Sequence, residues 1–259
     1  MKECVHLDES IPNPYRTMFQ FLKVGEKMAK IKTSGKHKLL RLLLLFTWFL
    51  ILTWIEIHDG VDPTSNQDGT SNTSVILSAD DAPQYTGPDF LEINGGKSTF
   101  DPSELHFEGA GWIRYGDLDE LNRVTTMDAM ITPEMYQTGT DADSSILPTG
   151  WSKSNQNESN PKQLNRGHLL ADVLGGSGED WRNLVTLYRN ANYPAMYFAS
   201  EFIVSEAIQA GTTVRYRVTP LFKDDELICE GLHIMAKSVT DDSVDLNVYV
   251  FNEPKDAVD

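Results

Sequence analysis

Cysteine is almost absent from this chain of 259 residues, which has only Cys4 and Cys229. Two cysteines so far apart exclude a disulfide-stapled scaffold and any Cys-x-x-Cys zinc site. They flank an apolar run expected to cross a membrane, so they are not expected to pair with each other. Positive charge is scarce too: 22 Lys/Arg face 38 Asp/Glu, for a net charge of -16. The shortage is uneven. Met1 to Arg41 carries nine basic and four acidic residues, net +5, and the remainder carries 13 basic and 34 acidic, net -21. So acidic a balance argues against a nucleic-acid partner, because the phosphate backbone is gripped by basic surface. No internal repeat is visible. Gly175-Gly176-Ser177-Gly178 has no Lys-Ser/Thr pair after it, so it reads as a turn rather than a phosphate cradle.

Long hydrophobic runs are also missing, with one exception. Residues 39–55 are apolar apart from Arg41. With Arg41 snorkelling to the interface, the run approaches the ~17–20 residues a bilayer requires. Trp48 and Trp54 suit an interfacial belt, and seven Lys/Arg from Lys23 to Arg41 precede or open the run. Positive flanks stay in the cytoplasm. The pattern predicts a cytoplasmic basic segment over 1–38 and a single-pass transmembrane anchor over 39–56, with the rest exported. A cleaved signal peptide would want a small-x-small site, which Ile55-Glu56-Ile57-His58-Asp59 does not offer. A buried core helix is the remaining alternative, against which the asymmetric flanking charge argues.

Residues 57–88 are rich in Asp, Ser, Thr, Asn, Gly and Pro and read as a flexible acidic linker. One domain is expected over 89–259. Phe90 to Ile93 reads as a strand entering a Gly95-Gly96 turn. Leu105-His106-Phe107 and Trp112 to Tyr115 read as short strands about a glycine turn. Gln137 to Asn160 is polar loop. From Pro194, apolar residues recur at helical spacing until Gly211. Val214 to Thr219, Leu227 to Ala236 and Val244 to Phe251 then alternate as strands, the last with Val244, Leu246, Val248 and Val250 on one face. The fold class is α+β: strands, a helix, then an antiparallel return.

The chemistry concentrates in Asn165-Arg166-Gly167-His168, in Arg182-Asn183 and in Asn192. Hydrolysis of a phosphodiester needs a base for water and an offset for phosphate charge. His168 has the right pKa range for the base. Magnesium prefers oxygen ligands and keeps much of its water, so the amide oxygen of Asn192 can suffice as its protein ligand. Asn183 can orient the base or the phosphate, and Glu201 on the following helix can hydrogen-bond water near the metal. Arg166, Arg182 and Arg189 can bind phosphate oxygens. Each has a plainer reading: a structural histidine, an asparagine that caps the helix, arginines that only solvate a surface.

Asn165-Arg166-Gly167-His168-Leu169-Leu170, followed by Arg182-Asn183-Leu184-Val185 and Asn190-Ala191-Asn192, resembles the DNA/RNA non-specific endonuclease family. Within it, the likeness is to the membrane-bound DNA-entry nucleases of competent bacteria. The resemblance spans roughly Leu118 to Pro254. It implies a ββα-metal (His-Me finger) core with an antiparallel sheet. It also implies a Mg2+ cofactor, with Mn2+ as an alternative, and no organic cofactor. His168 would be the catalytic base, Asn192 the metal ligand, and Asn183 and Glu201 the supporting residues, with Glu206 a rival on the same helix. Arg123 would add a phosphate contact. The family motif commonly begins with aspartate, where this chain has Asn165.

The expected function is therefore cleavage of DNA, or alternatively RNA, outside the cell membrane without sequence preference. A secreted toxin nuclease and a non-catalytic surface module on a degenerate nuclease fold are the alternatives, the second favoured by the acidic charge and Asn165.

Overall fold

In the computed structural model, the described residues are 77–153 and 163–254. The basic segment, the anchor expected over 39–56 and most of the linker lie outside them. Among the described residues no helix is long and apolar enough to cross a membrane.

Among the described residues, eight strands, a kinked helix running into a second helix, and several single helical turns make up the body. The strands and the two helices are β1 (Phe90–Glu92), β2 (Trp112–Tyr115), β3 (Met127–Ile131), β4 (Leu164–His168), β5 (Leu184–Tyr188), α1 (Ala191–Glu201), α2 (Phe202–Gln209), β6 (Val214–Leu221), β7 (Gly231–Ser238) and β8 (Asp245–Phe251). Six strands form an antiparallel sheet in the order β1-β8-β7-β6-β3-β2, while β4 and β5 pair separately. The β4-β5 pair followed by α1 is a ββα unit, as the family resemblance implied.

The large sheet has two chemically different faces, because successive side chains alternate across a strand. On one face lie Val214, Tyr216 and Val218 of β6, Leu232, Ile234 and Ala236 of β7, and Leu246, Val248 and Val250 of β8. All are buried, against Ala195, Met196 and Ala199 of α1 and Val204, Ala207 and Ile208 of α2. Each fully buried Leu or Ile of this layer contributes about 1.5–3 kcal/mol. The seam holds the ββα unit on the sheet.

The other face is polar. Arg215 and Arg217 of β6 are almost fully enclosed, with 4% and 9% of their side chains exposed. Both guanidinium groups reach the carboxylates of Asp128 and Glu104. Both also lie over the Phe100 ring, 4.8 and 5.4 Å from its centroid. His233 Nε2 and Asn247 Oδ1 are 2.7 Å apart, and Asn247 Nδ2 donates to the Lys97 carbonyl at 3.0 Å. The chain before β2 covers this face. Contact with it begins at Leu77, whose N–H donates to His233 Nδ1 at 3.4 Å. Tyr85 meets Phe251 edge-on at 5.2 Å. Part of the stretch expected as linker is therefore packed on the body.

Three expectations are adjusted. Leu105 to Phe107 is not a strand; Pro102–Leu105 is a single helical turn instead. Asp101 caps it by accepting from Ser103 N at 2.8 Å, and Glu104 Oε2 accepts from Asp101 N at 3.1 Å. That capping box aims Glu104 at the arginines. The strand expected from Leu227 begins at Gly231, where an added Cβ would sit 2.4 Å from Tyr249 Cζ. At the helix start, Tyr193 is extended (φ -152, ψ 128) and the Tyr193–Pro194 bond is cis, so the regular turns begin after the proline. Gly211 (φ +98) ends the helix as expected.

Arg217→Ala leaves the Glu104 and Asp128 carboxylates with one guanidinium between them. The expected loss is about 1–3 kcal/mol of stability, read as a lower urea midpoint. An unchanged midpoint would show that the polar face contributes nothing to the fold.

Candidate active site

His168 closes β4, where it pairs with Leu184 of β5. Alternation puts Arg166 and His168 on one side of the β4-β5 ribbon and Asn165 and Gly167 on the other. The polar loop from Thr140 to Ile146 crosses the first side and takes hydrogen bonds through its carbonyls. His168 Nε2 lies 3.1 Å from Thr140 O. A carbonyl only accepts, so Nε2 carries the hydrogen, and the neutral ring keeps its lone pair on Nδ1. Burial holds the ring's pKa below the ordinary 6.5; the Thr140 bond and the Asp172 and Asp141 carboxylates pull the other way but do not prevail. The imidazole is therefore neutral near pH 7.

Gly167 has a steric task. A Cβ there would meet Leu187 Cδ1 at 2.4 Å and Asn192 Oδ1 at 2.9 Å. Only glycine lets α1 bring the Asn192 amide oxygen against the backbone one residue before His168. Asn192 Oδ1 thus packs against the β4 backbone at Gly167, one residue before His168 in the chain.

Asn183 is wholly buried. Its Oδ1 accepts from Leu170 N at 2.8 Å, while its Nδ2 donates to Leu170 O at 3.1 Å and Ser177 O at 2.9 Å. Its own carbonyl accepts from Leu169 N at 2.8 Å. The side chain holds the turn that leaves β4, so it positions His168 through the backbone.

Glu201 stands where α1 runs into α2. Burial, then the Asp172 carboxylate, pushes its carboxyl up to about 8, so it is protonated at neutral pH. Asp172 is an exposed residue that acts electrostatically on both His168 and Glu201. Sequence reasoning missed Asp172 and Thr140. The spacing of Asp172, four residues beyond His168, was a usable signal; Thr140 serves through its backbone and left none.

The arginines are placed differently from their expected role on phosphate. Arg166 donates from Nε to Ile146 O at 2.6 Å and from Nη2 to Ser144 O at 2.9 Å, and it stacks 4.1 Å from the Trp151 ring. It anchors the loop over His168. Arg182 grips its neighbour Asp180 with Nε at 3.0 Å and Nη2 at 2.7 Å. It lines an open groove of about 760 Å³ that also holds Asp117 and Glu179. Arg123 is clamped by Asp119 Oδ2 at 2.6 Å and by the carbonyls of Asp224 and Glu226 at 2.7 and 3.0 Å. Only Arg189 of the four is exposed and without an ion pair among the described residues.

Among the described residues no three His, Cys, Asp or Glu side chains are grouped to hold a metal. The amide oxygen of Asn192 is a neutral donor that could take part in holding a hard cation.

Comparison with solved structures places the fold among nucleases. NucA from Streptococcus agalactiae with magnesium bound is similar with a TM-score of 0.54 at 24% identity, over 63% of this chain and 81% of that one. Its metal-free form gives 0.56 at 22%, over 68% and 85%. Sda1 nuclease with bound zinc gives 0.51 at 20%, over 64% and 91%. At these identities the likeness concerns the fold. No curated protein matches the chain. The model of the DNA/RNA non-specific endonuclease family matches residues 104–240, more than half of the chain and the whole of the site above, and the chain therefore belongs to the DNA/RNA non-specific endonuclease family.

Proposed function

We propose that the protein is a Mg2+-dependent endonuclease that hydrolyses phosphodiester bonds of DNA, and of RNA as a second substrate, without reading base sequence. The observation that carries this is a neutral histidine, its tautomer set by Thr140 O, one residue along the strand from the glycine against which Asn192 Oδ1 packs. His168 Nδ1 takes the proton of the attacking water. Asn192 would hold the cation through its amide oxygen, with Mn2+ able to replace magnesium. A bound divalent cation would supply the charge stabilisation that phosphate and the leaving 3′-oxygen require. Glu201 offers a neutral carboxyl beside Asp172 and can hold a proton there. Asn183 and Arg166 keep the turn and the loop around His168 in place, and Arg189 is the arginine left to meet phosphate.

His168→Ala is expected to cut plasmid cleavage by about 10²–10⁴-fold. Asn192→Ala is expected to raise the magnesium concentration needed for half-maximal rate, which His168→Ala leaves alone. An active alanine variant at 168 would sink the mechanism. A wild-type protein inert toward both DNA and RNA would instead favour a non-catalytic surface module, which the acidic balance of the chain also suits.

The depressed His168 pKa has a direct kinetic consequence. Protonation of the base stops the reaction, so the acid limb of kcat/KM is expected below pH 6.5. An acid limb centred above that value would point to another base.

We also propose that residues 39–56 anchor the protein in the cell membrane with the nuclease domain outside. The charge asymmetry of the sequence supports this. Removing residues 1–56 is expected to move the protein from the membrane fraction to the soluble one. If the full chain already fractionates as soluble, the anchor is wrong.

A further inference from the structure

The acidic chain keeps three of its four candidate phosphate-binding arginines in internal contacts, yet it must hold a polyanion long enough to cut it. The rings on α1 offer another grip. Tyr193 directly follows Asn192 and is 47% exposed. Its ring centroid lies 5.5 Å from that of Tyr197 and 6.3 Å from that of Phe198. Tyr197 continues the series to Phe202 at 5.8 Å. Tyr197 stands one helical turn before Glu201, and its hydroxyl lies within electrostatic reach of both Glu201 and Tyr136. The extended Tyr193 backbone turns that ring out of the helix proper while Asn192 stays against Gly167. An exposed tyrosine packed against a second ring tilted 48° to it, and next in the chain to Asn192, leaves an aromatic face open to a nucleobase.

We propose that Tyr193, packed against Tyr197, is a base-stacking platform, and that the enzyme consequently favours single-stranded or locally unpaired nucleic acid. This rests on the endonuclease reading above. Stacking suits such a site because every base presents a π-face, so affinity is gained without sequence preference. It also needs no positive charge. In a duplex the bases are already stacked on one another, and reaching the platform requires unpairing one.

The test is binding of a short single strand, carrying a fluorescent adenine analogue, to the full-length protein with His168→Ala so that the strand is not cut. Stacking is expected to quench the analogue. Adding Tyr193→Ala is expected to abolish the quench and weaken single-strand binding by about 5- to 150-fold, the range for one stacked base. Tyr193→Phe keeps a ring in place and is expected to preserve both, while duplex binding changes little in either variant. No quench, no effect of Tyr193→Ala, or an equal loss on duplex and single strand would each overturn the platform. The two readings fail separately: quenching by a wild-type protein that cleaves nothing leaves the platform and removes the nuclease, and cleavage without quenching does the reverse.

Discussion

The site depends on one buried amide. Asn183 satisfies both backbone groups of Leu170 and a carbonyl of the next turn. A turn that leaves a strand inside a protein has polar groups that no ladder can take up, and an unpaired one costs about 1–3 kcal/mol. Asn183 takes up three of them with one side chain. In doing so it fixes where the chain goes after His168, and therefore where the His168 ring points. Thr140 O then selects the tautomer, and Arg166 keeps the Thr140–Ile146 loop close enough to do so. The residues around the His168 ring are thus arranged in order of dependence.

The same economy explains the arginines. In a chain with so few cations, a guanidinium that spans two carbonyls or a carboxylate organises more structure than a solvated one. Arg166, Arg123, Arg215 and Arg217 are all used in this way. Fewer of these cations are then free to meet phosphate, and the proposed cation and stacking sites, Asn192 and Tyr193, are adjacent on α1.

Much of the fold was legible because periodicity reports burial. Val214 to Thr219 and Val244 to Phe251 alternate in sequence and lie as strands with the expected face inward. The apolar spacing from Ala195 to Ile208 gave the helix for the same reason. What periodicity cannot report is the partner of a polar side chain. Arg166 sits beside the histidine in sequence, and its guanidinium still turns to a loop some twenty residues away. Leu105 to Phe107 looked like a strand because its apolar ends hid the capping pattern Asp101-Pro102-x-Glu104, a local signal that outranks alternation.

Gly167 shows how a motif can be right for a reason the sequence does not give. Flexibility at a strand end is the obvious reading of a glycine beside a catalytic histidine. Its place is set instead by Asn192 Oδ1 and Leu187, which occupy the volume a side chain would need. An alanine there would push α1 away and carry Asn192 and Tyr193 with it. The glycine, the amide oxygen and the exposed ring are therefore one constraint seen at three positions: the closeness of α1 to β4, on which the proposed roles of His168, Asn192 and Tyr193 all depend.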